Sequence, residues 1–410
     1  MKRKLRVFNV VILIIQIFFV SSCTLLEQPT NKITNNIINN VVDYKTMSIE
    51  EFQSAIEVAV NRVQDAVIGV TTKEIINSGL KTSEESISIG SGVIYKREAI
   101  LKNNYLGEIS GNIKTYKYYV ITNRHVIEKK DDSKKYTYYA YLGPEDREFS
   151  ATLVGFDEKV DLALITFEHT RLINPVDFGN SNEIVKGSFA IAIGNPDGYN
   201  YYGSATFGII SGPLRYMSDD TDGDNVPDFY AEYIQHDVAI NPGNSGGGLF
   251  NIYGELIGIN TLKLVNEKID NMGFAIPSNV ASIIIKNYLE PKIPIVRPRL
   301  GVLGTEVRSI TPAVIEANNL QDVPDIYGTE TPYGIYVLDI TEGGSLHESG
   351  ILKDDIILSF DDIKITRTYI LTAKLNSLID YKVGDHITVE YYSRNEDKVK
   401  TVTIILRSIG

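Results

Sequence analysis

Hydrophobic and polar positions change rhythm several times along the chain, and each change predicts a different kind of element. After the basic residues Lys2, Arg3, Lys4 and Arg6, apolar residues run from Val7 to Val20, interrupted only by Asn9 and Gln16. That run is shorter than the roughly 20 residues that cross a bilayer. With Ser21 and Ser22 behind it, the layout is that of a secretory signal over residues 1–22. Residues 23–47 are asparagine-rich without a sustained apolar period and read as a tether. Ser48-Ile49-Glu50-Glu51 has capping-box spacing, and Phe52, Ala55, Ile56, Ala59, Val60 and Val63 recur at helical intervals, which predicts a helix over 49–64.

From Ala66 to about Pro291 the pattern becomes short β-branched and aromatic runs broken by glycine and polar turns. Ala66–Thr72, Gly92–Tyr95, Tyr118–Thr122, Tyr136–Leu142, Leu162–Phe167, Phe189–Ile193, Ala205–Ile210 and Leu256–Asn260 are the runs predicted as strands. This rhythm implies a mostly β fold of antiparallel barrels or sandwiches. Pro291, Pro294 and Arg297-Pro298 mark a hinge, after which strands and one helix alternate. No Gly-x-Gly-x-x-Gly or phosphate-loop pattern opens a helix, so nucleotide chemistry has no footing.

Composition sharpens this picture. The 410 residues suffice for two domains with real cores, and the formal charge is −12. Loss of residues 1–22 would remove four basic side chains and no acid, taking it to −16. So acidic a chain argues against a nucleic-acid partner, which needs lysine- and arginine-rich faces. Cys23 is the single cysteine, so no intrachain disulfide forms. Val20-Ser21-Ser22-Cys23 resembles a bacterial lipobox, which implies lipidation at Cys23 and a lipid-anchored, extracytoplasmic protein at the cell membrane.

Three segments carry candidate chemistry: Thr122-Asn-Arg-His125-Val, Asp161-Leu-Ala-Leu-Ile165 and Asn241-Pro-Gly-Asn-Ser245-Gly-Gly. A serine hydroxyl becomes a nucleophile when an imidazole takes its proton, and a carboxylate holds that imidazole in one tautomer. Backbone N–H groups in a tight glycine turn then stabilise the oxyanion, for which Gly243, Asn244 and Ser245 are the candidates. The order His125, Asp161, Ser245 is that of chymotrypsin-like proteases.

With Gly90-Ser91-Gly92-Val93-Ile94, Ala192-Ile-Gly-Asn-Pro196 and Gly273-Phe-Ala-Ile-Pro277, these motifs resemble the HtrA (DegP-like) family of trypsin-fold serine proteases. The resemblance covers about residues 60–408, with long departures at 97–117, 129–139 and 216–230. It implies a chymotrypsin-like double β-barrel protease domain over 48–291, including the N-terminal helix, and an α+β PDZ domain over 297–408. In the PDZ domain Arg299, Leu300, Gly301 and Val302 would bind a peptide's terminal carboxylate. It implies ATP-independent cleavage of unfolded or damaged envelope proteins, no cofactor for catalysis, and a homotrimer. Ala239 and Ile240 stand where the specificity pocket is floored. An apolar floor cannot compensate a buried ammonium, which implies cleavage after small aliphatic residues. A chaperone-like or scaffolding lipoprotein with minor proteolysis is the competing expectation.

Two features lie outside this scheme. Asp220, Asp222, Asp224 and Asp228 alternate along a glycine-bent loop and would suit a calcium ion. Among the remaining histidines no pair has metal-ligand spacing, which argues against zinc. His236, immediately before the nucleophile loop, is the one to follow.

Overall fold

The computed structural model describes residues 48–78, 81–103, 109–129, 131, 133–219, 229–261, 271–327 and 332–409. Cys23, the tether and the aspartates at 220–228 lie outside the described residues. The chain divides into two compact units, Met1–Glu57 and Val58–Gly410. In the first, Ser48 N–H donates to Glu51 Oε2 at 2.7 Å and Glu51 N–H to Ser48 Oγ at 3.1 Å. This reciprocal cap opens helix α1 (Ile49–Val63), one residue shorter than its apolar period predicts.

Within Val58–Gly410, two closed antiparallel barrels resolve the choice between barrel and sandwich. The first closes as β1-β2-β3-β6-β5-β4, comprising β1 (Val67–Ser78), β2 (Lys81–Asn103), β3 (Ile109–Asn123), β4 (Tyr136–Leu142), β5 (Arg147–Asp157) and β6 (Leu162–His169). The second closes as β10-β11-β12-β9-β8-β7, comprising β7 (Phe189–Gly194), β8 (Ser204–Asp219), β9 (Phe229–His236), β10 (Gly248–Phe250), β11 (Leu256–Thr261) and β12 (Gly273–Pro277). Within each barrel wall every strand is paired on both sides among the described residues. Alternating apolar positions such as Ile68, Val70, Val120 and Leu164 are fully buried. A Cβ on Gly92 would sit 2.6 Å from Val120 Cγ1 and 2.8 Å from Val70 Cγ2, so only glycine allows the first barrel to close this tightly.

The strands predicted at Gly92–Tyr95 and Tyr118–Thr122 are longer than expected. Most of the departure at 97–117 is an extension of β2 and β3 as one ribbon, with Arg97 paired to Tyr118 and Leu101 to Ile113. Its base is tied to the body by Lys96, which bridges Glu98 and Glu290, while Tyr119 Oη donating to Glu98 at 2.8 Å links its two strands.

Helix α2 (Ser278–Ile284) leads out of the second barrel. The C-terminal body holds β13 (Val302–Glu306), α3 (Pro312–Asn318), β14 (Ile335–Ile340), β15 (Ile356–Phe360), β16 (Ile363–Lys364), α4 (Thr368–Ser377), β17 (His386–Ser393) and β18 (Lys398–Ile405). Its sheet runs β13-β14-β15-β17-β18, which leaves β13 at an edge. Leu300, Val337, Leu346, Leu371 and Val389 fill its own apolar core.

Candidate active site

The turn between β5 and β6 presents Asp161 in the left-handed region, φ +57°, a conformation aspartate tolerates better than most residues. This turn aims both carboxylate oxygens at the loop that follows β3. Asp161 Oδ1 accepts His125 N–H at 2.9 Å and Oδ2 meets His125 Nδ1 at 2.8 Å. An ionised carboxylate only accepts, so Nδ1 carries the proton and Nε2 is left as an acceptor. The Asp161 carbonyl accepts from Arg124 N–H at 3.1 Å and from Asn123 Nδ2 at 3.0 Å, locking loop to turn. Asp161 is 3% exposed, whereas the His125 side chain is 30% exposed. The carboxylate is thus shielded while the imidazole faces the cleft.

Ser245 lies on the tight loop between β9 and β10 and is buried at 4% exposure. Two hydrogen bonds join this loop to the first barrel: Ser91 N–H donates to Ser245 O at 2.8 Å, and Ser91 Oγ donates to Gly243 O at 2.7 Å. A Cβ on Gly90 would meet Val126 Cγ2 at 2.7 Å and Ser245 O at 3.0 Å, so one glycine separates the serine from the residue after His125. A second route runs through β11. Thr261 Oγ1 donates to Asp161 Oδ2 at 3.1 Å, while its neighbour Asn260 accepts from Gly246 N–H and donates to Gly247 O, both at 2.9 Å. The carboxylate and the serine loop therefore share one short strand end. Thr261 was not singled out from sequence; its only signal was its place at the end of an apolar strand beside Asn260.

Backbone directions around the serine decide which amides face the cleft. Pro242 O accepts from Asp197 N–H at 2.8 Å, and Asn244 O accepts from Gly247 N–H at 2.9 Å. In a trans peptide the N–H points opposite its C=O, so Gly243 N–H and Ser245 N–H are turned away from those partners. Asn244 N–H instead closes the turn onto Asn241 O at 3.0 Å. Of the three candidate donors, Asn244 N–H is thus engaged within the turn. Gly243 adopts φ +101°, and a Cβ there would come within 2.2 Å of Asn195 O.

Below the loop, Ile240 packs on the apolar core of the second barrel, and Ala239 O accepts from Thr206 Oγ1 at 3.0 Å. Asp237 Oδ1 accepts Ile209 N–H at 2.6 Å, a structural role. His236 is fully buried, and burial lowers its pKa to about 4, so the ring is neutral at physiological pH. Neither ring nitrogen finds a partner in good geometry, although the Val238 backbone and the Asn260 side chain oppose the shift in part. No cluster of three potential metal ligands occurs among the described residues.

In the C-terminal body a groove of ≈370 Å³ runs between edge strand β13 and α4, with Leu371 and Leu375 on its helix side. Arg299, Leu300, Gly301 and Val302 all line it.

Two barrels with a buried aspartate, a half-exposed histidine and a glycine-turn serine at their junction define the trypsin-like peptidase class. Residues 90–259 match the model of the trypsin-like peptidase domain, and residues 299–406 match that of the PDZ domain. The serine protease Do-like HtrA of Bacillus subtilis (strain 168) is 30% identical over 364 residues, covering 86% of this chain and 73% of the relative. The serine protease Do-like HtrB of the same organism is 32% identical over 316 residues, covering 77% of this chain and 61% of the relative. Among solved structures, the HtrA-type protease AlgW with decapeptide aligns at a TM-score of 0.59 and 25% identity, over 86% of this chain and 98% of that one. The serine endoprotease from Yersinia pestis aligns at 0.53 and 26%, over 87% and 98%. The chain belongs to the HtrA family: it is a trypsin-like serine endopeptidase with a PDZ domain, and its chemistry requires no cofactor.

Proposed function

We propose that Ser245 is the nucleophile, His125 the general base and Asp161 the group that orients it, with Gly243 and Ser245 N–H receiving the oxyanion. The observation that supports this reading is the Asp161–His125 pair, which leaves Nε2 as an acceptor, with Gly90 packed between Val126 and the Ser245 carbonyl. Ser245 Oγ attacks the substrate carbonyl as Nε2 takes its proton, and His125 then protonates the leaving amine. The resulting acyl-enzyme is hydrolysed by the reverse proton path. Ala239 and Ile240 offer no buried carboxylate, so the residue before the cut bond is small and aliphatic. In the groove beside β13 a peptide C-terminus adds as a further strand, its carboxylate on the loop from Arg299 to Val302. AlgW was solved with a decapeptide, which supports a peptide-binding role here.

The lipobox-like Cys23 and the secretory layout before it support a lipid-anchored enzyme on the outer face of a membrane, and the family resemblance supports a homotrimer acting on unfolded envelope proteins. Digestion of casein by the wild type and by Ser245→Ala, with mass-spectrometric mapping, tests the reading. The wild type should cut after Val, Ala or Ile and the variant should cut nowhere. Retained activity in pure Ser245→Ala sinks the nucleophile assignment; cuts chiefly after Lys or Arg sink the specificity. Sedimentation and membrane partitioning of the mature chain test the trimer and the anchor.

A further inference from the structure

The seam between the barrels contains a residue with more hydrogen bonds to the nucleophile loop than its place in a strand requires. Ser91, on β2, is fully buried. Its Oγ donates to Gly243 O at 2.7 Å, and its N–H donates to Ser245 O at 2.8 Å. One side chain and one amide from the first barrel thus hold the carbonyls on both sides of Asn244, across the junction from the barrel that carries the loop.

The hydroxyl is itself held in place. Ser91 Oγ accepts Asn195 N–H at 2.9 Å and Asn195 Nδ2 at 3.0 Å, so its own proton is committed to Gly243 O. Asn195 is also fully buried, and it spends its remaining capacity on the same seam. Nδ2 donates to Ile68 O at 3.0 Å and Oδ1 accepts Gly203 N–H at 3.0 Å. Two residues on, Asp197 N–H holds Pro242 O. Thr122 Oγ1 donates to Ser91 O at 2.7 Å, closing the network on the strand that leads to His125.

The consequence concerns the Pro242–Gly243 peptide, whose N–H is one oxyanion donor. Its carbonyl is fixed by Asp197, and the following carbonyl, on Gly243, is fixed by Ser91. A rotation of the 242–243 peptide that turned its N–H away from the cleft would have to break the Asp197 bond and strain the Ser91 bond together. The Pro242–Asp197 bond lies at the exposed end of the turn, but Ser91 and Asn195 are fully buried, so a Ser91 hydroxyl released from Gly243 O would be left without an acceptor in the seam. We infer that Ser91, buttressed by Asn195, is a positioning residue for the oxyanion turn, holding Gly243 N–H toward the cleft. It touches no reacting atom and acts through Gly243. The inference rests on the assignment of Ser245 as nucleophile and adds to it a cross-barrel lock.

The test compares ground-state with transition-state binding in the full-length protein. Steady-state kinetics are measured on a peptide that the wild type cleaves in casein. The aldehyde of that peptide, which forms a hemiacetal with an oxyanion, and the plain amide of the same peptide serve as inhibitors. Removing an oxyanion donor outright costs about 10²–10³ in kcat; losing its positioning should cost Ser91→Ala about 10–100-fold. KM and amide affinity should stay within about 2-fold, while aldehyde affinity falls by the same factor as kcat/KM. Ser91→Cys, which keeps size and a weak donor, should recover part of the loss. Asn195→Ser should show a smaller loss of the same kind, and the double variant should be little worse than Ser91→Ala, because the two act as one unit. Should Ser91→Ala not fold, Asn195→Ser and Ser91→Cys carry the same comparison. A kcat within about 3-fold of wild type in a folded variant overturns the inference, as does a fall in kcat with aldehyde affinity unchanged. Retained activity in Ser245→Ala would be a separate failure, of the nucleophile assignment.

Discussion

Two seams run through the described body, and they are built from opposite materials. Between the barrels, apart from the Asp161–His125 pair, the buried polar groups that hold the nucleophile loop are neutral: Ser91, Thr122 and Asn195. Between the two-barrel body and the PDZ domain they are charged or ionisable, with Asp157 coming from the first barrel and Glu232 from the second. Arg297, in the linker, forms an ion pair with Asp157, their side chains 8% and 3% exposed. Its Nε donates to Asn376 O at 2.9 Å, and its guanidinium lies 5.5 Å over the Phe229 ring. From α4, Asn376 Nδ2 donates to Tyr230 O at 2.7 Å and Tyr369 stacks on Tyr230 at 5.9 Å. Glu232 sits in this second seam, where burial first, and Asp380 in addition, raise its pKa to about 7, while Lys374 opposes the shift. Lys374 instead reaches Asp380, at 3.6 Å. Neutral hydrogen-bonded networks do not respond to pH in the physiological range, whereas a carboxylate whose pKa burial raises does. The Ser91–Asn195 lock therefore does not titrate, while the second seam does.

The largest effect that tests this contrast lies in the first seam. Asp161→Asn keeps the shape but offers Nδ1 an amide, so His125 takes the wrong tautomer; kcat should fall by about 10³–10⁴ with little change in melting temperature. A loss below 10-fold would mean that the carboxylate is not what sets the tautomer.

Next, Arg297→Met strands the Asp157 carboxylate in the second seam. The stability loss should be about 3–5 kcal/mol, read by calorimetry as a lowered or split transition. An unchanged thermogram would show the linker pair to be dispensable.

Glu232 gives a smaller effect with a defined sign. Its raised pKa means that the assembled seam prefers the protonated acid. Stability is therefore full below the ordinary carboxylate value of 4.5, falls as pH rises toward about 7 and levels off above that. Glu232→Gln should remove this slope and add on the order of 2 kcal/mol at pH 8. Urea midpoints from pH 4 to 8 decide it, and parallel wild-type and variant curves would refute it.

The smallest is Tyr369→Leu, which removes ring stacking but keeps apolar area. About 1 kcal/mol should be lost, with kcat unchanged.

Much of the site was legible in the chain because catalytic chemistry constrains residue types within short windows. His125 stands two residues after the end of β3, Asp161 one residue before β6, and the glycine turn around Ser245 three residues before β10. The Arg299–Val302 loop is equally local, and all four residues line the groove. Ser91, Asn195 and Thr261 were visible only as members of quoted motifs or strand ends. Their roles depend on partners 152, 104 and 100 residues away, separations no periodicity reports. That Asn244 N–H closes the turn onto Asn241 O likewise follows from dihedral angles, not from residue type.

Strand identity, the capping box and the order of functional residues follow from the sequence alone, since side-chain alternation and turn chemistry act over a few residues. Barrel closure, the extension of 97–117 into a ribbon, the cross-barrel lock on Gly243 and the burial that raises Glu232 were decided only by the tertiary structure. Each requires a strand to meet a distant one. The free energy of that meeting resides in desolvation and hydrogen-bond direction, which exist only once both partners are placed.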